Sequence, residues 1–142
     1  MAKIEKSVTI NAPVEKVFNY IADPMTQPEW LTSMIMVNDV SKSGVGQHYR
    51  WKYKMVGVLL EGETTVTEHI PNKRRVTQTK GGAISTWTFD FESLDGGTKL
   101  ELNIEYTIPV PVIGKLAEKI VLKRNQREAE LAMQNIKEKV EG

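Results

Sequence analysis

The sequence predicts an α+β domain: an antiparallel sheet of about seven strands bent around one long C-terminal helix, with two short helices after the first strand. Three observations predict it. Val112 to Gly142 holds no proline and no glycine between Gly114 and the terminal Gly142, and it is rich in Ala, Leu, Glu, Lys, Gln and Arg, the strong helix formers. At ~1.5 Å per residue such a helix spans roughly 40 Å, the width of a small domain. From Thr32 to Ile108 the side chains alternate with period two in strand-length runs separated by turn residues. Short connections make those strands antiparallel neighbours, and their inward face needs a cover that only the terminal helix is long enough to give.

Residues 3–11 alternate Ile4, Val8 and Ile10 with Glu5, Ser7 and Thr9, a half-buried strand. Asn11-Ala12-Pro13 stops it and begins a helix whose apolar face is Val14, Val17, Phe18 and Ile21, with Pro13 suited to the first helical position. Asp23-Pro24 ends that helix, because the residue before proline disfavours the helical region. Pro24 to Leu31 is short and broken, enough for a turn or two of helix, with Trp30 as a packing anchor or a residue at a cavity mouth.

Met34 and Met36 then alternate with Ile35 and Val37 before the turn at Lys42-Ser43-Gly44. Tyr49, Trp51, Tyr53 and Met55 alternate with Arg50, Lys52 and Lys54, giving one face of large rings and one cationic face. Gly57 allows a bend or bulge that would swap the faces downstream. Beyond it Val58, Leu60, Thr64, Val66 and Ile70 count as inward, Glu61, Glu63, Thr65, Thr67 and His69 as outward, and Glu68 as inward. Pro71-Asn72 turns the chain into a polar strand from Arg75 to Lys80, and Gly81-Gly82 makes a hairpin. Trp87, Phe89 and Phe91 share the next inward face. Asp95-Gly96-Gly97 is a second hairpin signal, leading to Leu100, Leu102, Ile104, Tyr106 and Ile108. Pro109 and Pro111 close the last strand.

On the terminal helix, Ile113, Leu116, Ala117, Ile120 and Val121 form one apolar stripe; Leu122, Ala129, Ala132, Met133, Ile136 and Val140 form a second, well over ~100° away. The polar run Arg124 to Glu128 lies between them, so the helix is expected to change what it touches midway. Asn125 falls on the otherwise apolar second stripe, either at a packing transition or facing a cavity.

At 142 residues the chain is one domain with a real core. Nineteen Lys and Arg against 18 Asp and Glu, with no long basic run, argue against a nucleic-acid binder. The absence of cysteine removes disulfides, thiolate catalysis and thiolate metal sites. No apolar run reaches the ~20 residues that span a bilayer, and MAKIEKSVTI has no signal-peptide core, so a cytoplasmic location is expected. Gly-rich phosphate loops, nucleophile elbows and converging metal ligands around His48 and His69 are all missing; neither metal nor cofactor is expected. The acid–base candidates on the inward parity are Glu68, Tyr49, Tyr53 and Tyr106. A tyrosine of pKa ~10 donates hydrogen bonds well but is a poor base at neutral pH.

NAPVEKVFNYIADP with the following PEW, GETTVTEHIPNKR, GGTKLELNIEY, and the tail IPVPVIGKLAEKIVLKRNQREAELAMQNIKEKVE together resemble the START/Bet v 1-like superfamily, often called SRPBCC. Within it they are most similar to the polyketide cyclase/dehydrase and CoxG-like branch. The segments cover nearly the whole chain, each a loose pattern diagnostic of fold more than of activity. The resemblance implies one helix-grip domain over residues 1–142, a curved sheet gripping the terminal helix with an apolar cavity between them. Members bind lipids, sterols, hormones, polyketides and other hydrophobic molecules, and a minority act on them; no universal catalytic signature exists to carry over.

On that basis the inward rings become pocket lining, and the expected ligand-binding residues are Trp30, Met34, Tyr49, Trp51, Tyr53, Val66, Glu68, Trp87, Phe89, Tyr106, Leu122, Asn125 and Ala129. The expected ligand is a hydrophobic small molecule or lipid. Two rivals stand beside this: a polyketide cyclase/dehydratase using Glu68 or a tyrosine as acid/base, and a protein-interaction module, as in chaperone-activator relatives, exposing Leu116 and Ile120.

Overall fold

A computed structural model describes residues 2–55, 57–107 and 118–142. The order is β1 (Ala2–Ile10), α1 (Val14–Ala22), a 3₁₀ turn (Pro24–Thr26), α2 (Gln27–Trp30), β2 (Met34–Ser41), β3 (His48–Met55), β4 (Val58–Ile70), β5 (Arg74–Gly81), β6 (Ile84–Leu94), β7 (Gly97–Thr107) and α3 (Glu118–Glu141). The sheet runs β1-β7-β6-β5-β4-β3-β2, and every neighbouring pair is antiparallel. From β2 to β7 the chain meanders, and β1 closes on β7, so the α1–α2 connection carries the chain from one edge of the sheet to the other. Expectations placed on Ile108 to Ala117, Leu116 among them, lie outside the described residues.

Local chemistry accounts for the elements. Pro13 sits one position ahead of its expected place, capping α1 with its carbonyl accepting from Lys16 and Val17. Asp23 ends α1 and caps the 3₁₀ turn, its carboxylate accepting from the Met25 amide at 3.0 Å. Asp95 and Gly96 both have positive φ (45° and 82°), as a tight β6–β7 hairpin requires. The core forms where α1, α2 and α3 meet the inward face of the sheet, around Val17, Phe18, Phe91, Leu100, Leu102, Met133 and Ile136.

Three sequence expectations are corrected. First, α3 keeps one buried face throughout its described length: Val121, Asn125, Ala129, Ala132, Met133, Ile136 and Val140 are buried. Val121 therefore joins the second stripe, Ile120 is exposed, and the polar run is no change of face. Leu122 shares the angle of that stripe yet stands 36% exposed. Helical angle fixes which residues share a stripe, not how far along the helix the covering surface reaches.

Second, the parity swap falls at Thr67 rather than Gly57. The β4–β5 partners step from Val66↔Thr77 to Glu68↔Val76, leaving Thr67 as the extra residue of a bulge. Glu68 consequently turns outward, where its carboxylate meets Arg74 at 3.4 Å with nearly half its side chain exposed. Ile70 also turns out, and His69 turns in to pack its ring 5.1 Å from that of Phe18. Third, β2 is not a simple alternation: Met34 and Val37 are buried, and a register shift between Met34 and Met36 separates them.

Gly62 lies opposite Trp51 across β3 and β4. A Cβ on Gly62 would overlap the Trp51 indole and stand 2.6 Å from the Lys80 carbonyl oxygen. Only glycine lets the indole lie flat on the sheet there.

Candidate functional site

The rings of β3, β6 and β7 do not fill the space under α3. A cavity of about 90 Å³, partly open to solvent, lies between them. That is several times the ~10–15 Å³ that one enclosed water takes up. Leu31, Met34, Trp51, Met55, Trp87 and Ile104 supply apolar wall; Asn125, Glu128 and Ala129 form the helix side. Ala129 leaves the room, because the smallest side chain with a Cβ stands where α3 passes over the sheet.

Polar groups on this wall are few and mostly engaged. The Trp51 indole donates to Thr64 Oγ1 at 2.9 Å, Thr79 and Ser85 share a 2.6 Å hydroxyl contact, and the Trp87 indole donates to Ser85 Oγ at 3.1 Å. Two buried atoms of cavity residues have no hydrogen-bond partner among the described residues: Tyr106 Oη and Gln27 Oε1. Both residues line the cavity. A buried polar group without a partner costs about 1–3 kcal/mol.

Two side chains of α3 tie the helix to the wall. Arg124 donates to the Lys54 carbonyl at 2.9 Å, to Ser33 Oγ, and to Tyr53 Oη at 3.4 Å. Glu128 Oε1 accepts from the Ser33 amide at 2.9 Å and the Thr32 hydroxyl at 3.1 Å. Asn125 Oδ1 accepts from Arg124 at 3.1 Å. Burial pushes the Tyr53 phenol above its ordinary pKa, and Arg124 only partly offsets this. Tyr53 is thus a neutral donor at physiological pH.

A smaller chamber, about 20 Å³, adjoins the first and shares Gln27, Thr64, Thr79 and Trp87 with it as wall. Its remaining lining includes Trp30, Tyr49, Phe89, Thr77 and Arg75. Arg75 is 3% exposed; it donates to Gln47 Oε1 at 2.8 Å and contacts His69 Nδ1 at 3.2 Å. Desolvation pulls the Arg75 pKa down, against the partly offsetting influence of Tyr49. Burial likewise raises the Tyr49 phenol, so neither phenol is poised as a base.

Of the residues expected to bind ligand, Met34, Trp51, Tyr53, Tyr106, Asn125 and Ala129 line the larger cavity, Trp30, Tyr49 and Phe89 the smaller, and Trp87 both. Val66 is buried but on neither wall, Leu122 is partly exposed and also on neither wall, and Glu68 is on the opposite face of the sheet. Gln27, Thr64, Arg75, Thr77, Thr79 and Ser85 were not singled out as ligand-binding residues. Those on β5 were legible in principle. The Gly81-Gly82 hairpin pairs Thr77 with Trp87 and Arg75 with Phe89, so they share the inward parity of those rings. Gln27, on a four-residue helix, had no such signal.

A sheet curved over one long helix is an architecture this chain shares with other proteins. A family profile described as "Polyketide cyclase / dehydrase and lipid transport" matches residues 1–141. The chain belongs to this polyketide cyclase/dehydrase and lipid transport family. As a family member it adopts the helix-grip fold. It is similar to an uncharacterized 17.2 kDa protein from the melC2-rnhH intergenic region of Streptomyces lincolnensis, 26% identical over 133 residues, covering 92% of this chain and 85% of that one. Among solved structures, the TTHA0849 protein of Thermus thermophilus superposes with a TM-score of 0.84 at 22% identity, covering 98% of this chain and 97% of the other. The ZhuI aromatase/cyclase of Streptomyces sp. R1128 superposes at 0.78 with 15% identity, covering 99% and 93%. At these identities the two structures speak for the fold alone. No described helix of this family member is long and apolar enough to cross a membrane.

Proposed function

We propose that this protein binds a hydrophobic small molecule or lipid in the cavity between the sheet and α3. The observation that carries the reading is a mostly apolar cavity of about 90 Å³ with two buried polar atoms, Tyr106 Oη and Gln27 Oε1, that have no partner among the described residues and belong to residues on its wall. Apolar walls with a few placed polar groups are the usual make-up of a ligand site, and a bound hydroxyl or carbonyl would supply the missing partners. The family's description, cyclase/dehydrase and lipid transport, points to the same ligand class.

Binding is favoured over catalysis by the state of the acid–base candidates. Glu68 is paired with Arg74 outside the cavity, burial raises the Tyr49 and Tyr53 phenols, and Tyr106 has no hydrogen-bonded base among the described residues; Glu128, a further carboxylate on the wall, is held by two hydrogen bonds. A protein-interaction role has one support, the exposed Ile120.

Titration with the neutral fluorophore N-phenyl-1-naphthylamine tests the proposal. Wild-type protein is expected to give a saturable rise in fluorescence, and Ala129→Leu, which fills the cavity from the helix side, to lose it with its circular dichroism unchanged. Absence of saturable uptake by the wild type, or equal uptake by the variant, would refute the assignment.

A further inference from the structure

Arg75 is anomalous on grounds independent of the larger cavity. Arginine is almost never fully buried unless it is paired with an opposite charge. At 3% exposure Arg75 meets, among the described residues, two neutral acceptors, Gln47 Oε1 and His69 Nδ1. Among the described residues no carboxylate lies within 4.0 Å of it. His69 cannot serve as a charged neighbour: its Nδ1 faces the guanidinium and must carry a lone pair, while burial and the charge on Arg75 both lower its pKa. The cluster therefore holds one desolvated positive charge without a counter-ion.

A guanidinium has five N–H donors, and the two contacts to Gln47 and His69 use two of them. The side chain lines the small chamber, with Tyr49, Thr64, Thr77 and Thr79 on the same wall. At about 20 Å³ the chamber has room for one or two waters, or for the two oxygens of a carboxylate. Gln27, Thr64, Thr79 and Trp87 stand on both walls, so at most one layer of side chains separates the charge from the apolar cavity.

We infer that the ligand is an apolar molecule ending in a carboxylate, its acid group on Arg75 in the small chamber and its hydrocarbon or aromatic body in the larger one. The inference rests on the binding role proposed above and narrows it to a ligand class. A planar two-oxygen anion matches the guanidinium fork, and the carboxylate supplies the charge that the fold leaves out. A bulkier tetrahedral phosphate suits a chamber of this size less well.

Calorimetric titration at pH 7.5 with 4-phenylbutyrate and with the neutral, near-isosteric 4-phenylbutan-1-ol tests this. The wild type is expected to bind the acid about 10- to 100-fold more tightly than the alcohol, the range of a charge-assisted hydrogen bond in a buried site. Arg75→Met is expected to abolish that preference while keeping its affinity for the alcohol. Should Arg75→Met fail to fold, the wild type decides: the acid, not the alcohol, is expected to shift the Arg75 side-chain Nε resonance. Equal affinities in the wild type, an unchanged ratio in Arg75→Met, or an acid that does not bind a protein that takes up the naphthylamine would each overturn the inference and leave the cavity role standing. Failure of the naphthylamine and both phenylbutyl compounds alike would remove the cavity role and this inference with it.

Discussion

Arg124 of α3 holds its guanidinium 5.7 Å from the centre of the Tyr53 ring while donating to the Tyr53 hydroxyl and to the Lys54 carbonyl beyond it. One side chain thus fastens the middle of the helix to the end of β3, on the wall of the cavity. Arg124→Ala is expected to cost about 1–3 kcal/mol, lowering Tm by several degrees, and to speed release of a bound fluorophore. Arg124→Lys is expected to recover little, since an ammonium cannot serve several acceptors in one plane. Thermal melts and stopped-flow dissociation check both; a Tm within a degree of wild type in Arg124→Ala contradicts the fastening.

Gly62→Ala is expected to destabilise the protein by about 1–3 kcal/mol, because the new methyl meets the Trp51 indole and the Lys80 carbonyl with no room to yield. The Trp51–Thr64 hydrogen bond is expected to break, blue-shifting part of the tryptophan emission. Chemical denaturation measures the first effect and fluorescence the second.

Tyr106→Phe tests the unpartnered hydroxyl. Deleting a buried group that bonds to nothing is expected to stabilise the empty protein by about 1 kcal/mol, a rise of roughly 2–4 °C in Tm. The same change is expected to weaken ligands that carry a hydroxyl or carbonyl at that end. A fall in Tm would show that the hydroxyl is satisfied in solution.

His69 gives stability a pH dependence with a definite sign. Its folded pKa lies below the ordinary 6.5, through burial first and the charge of Arg75 second. The unfolded chain therefore binds the proton more readily, so the contribution is fully present above pH ~6.5 and is lost as pH falls through the folded value. Melts between pH 7.5 and 5 are expected to show a smaller decline in His69→Gln than in wild type. Parallel curves would exclude His69 as the source.

Much of this architecture was written in simple periodicities. The hairpin residues Asp95 and Gly96, the alternation Tyr49-Trp51-Tyr53 and the glycine-free C-terminal helix each carry their own local physics, and each is matched in the described residues, the helix from Glu118 onward. Failures came where a single residue of backbone geometry decides the outcome. Counting by twos placed Glu68 inside, because nothing in Val66-Thr67-Glu68 marks Thr67 as the unpaired residue. Counting by angles placed Leu122 inside, because the extent of its cover is a tertiary matter. Arg75 escaped notice for a different reason: a cationic residue in a polar strand reads as solvent-facing, and only strand pairing shows it sharing a face with Phe89.

The extra residue at Thr67 acts as a half-period phase shift in β4. Were Thr67 paired in a regular ladder instead of bulged out, the strand would aim a carboxylate, Glu68, at the interior instead of the imidazole of His69, and Arg75 would have an internal counter-ion. The electrical polarity of the chamber is thus encoded less in which side chains the strand carries than in whether the backbone pairs Thr67 or skips it. The same residues in an unbroken alternation would set acid beside base and leave the chamber with no charge to offer.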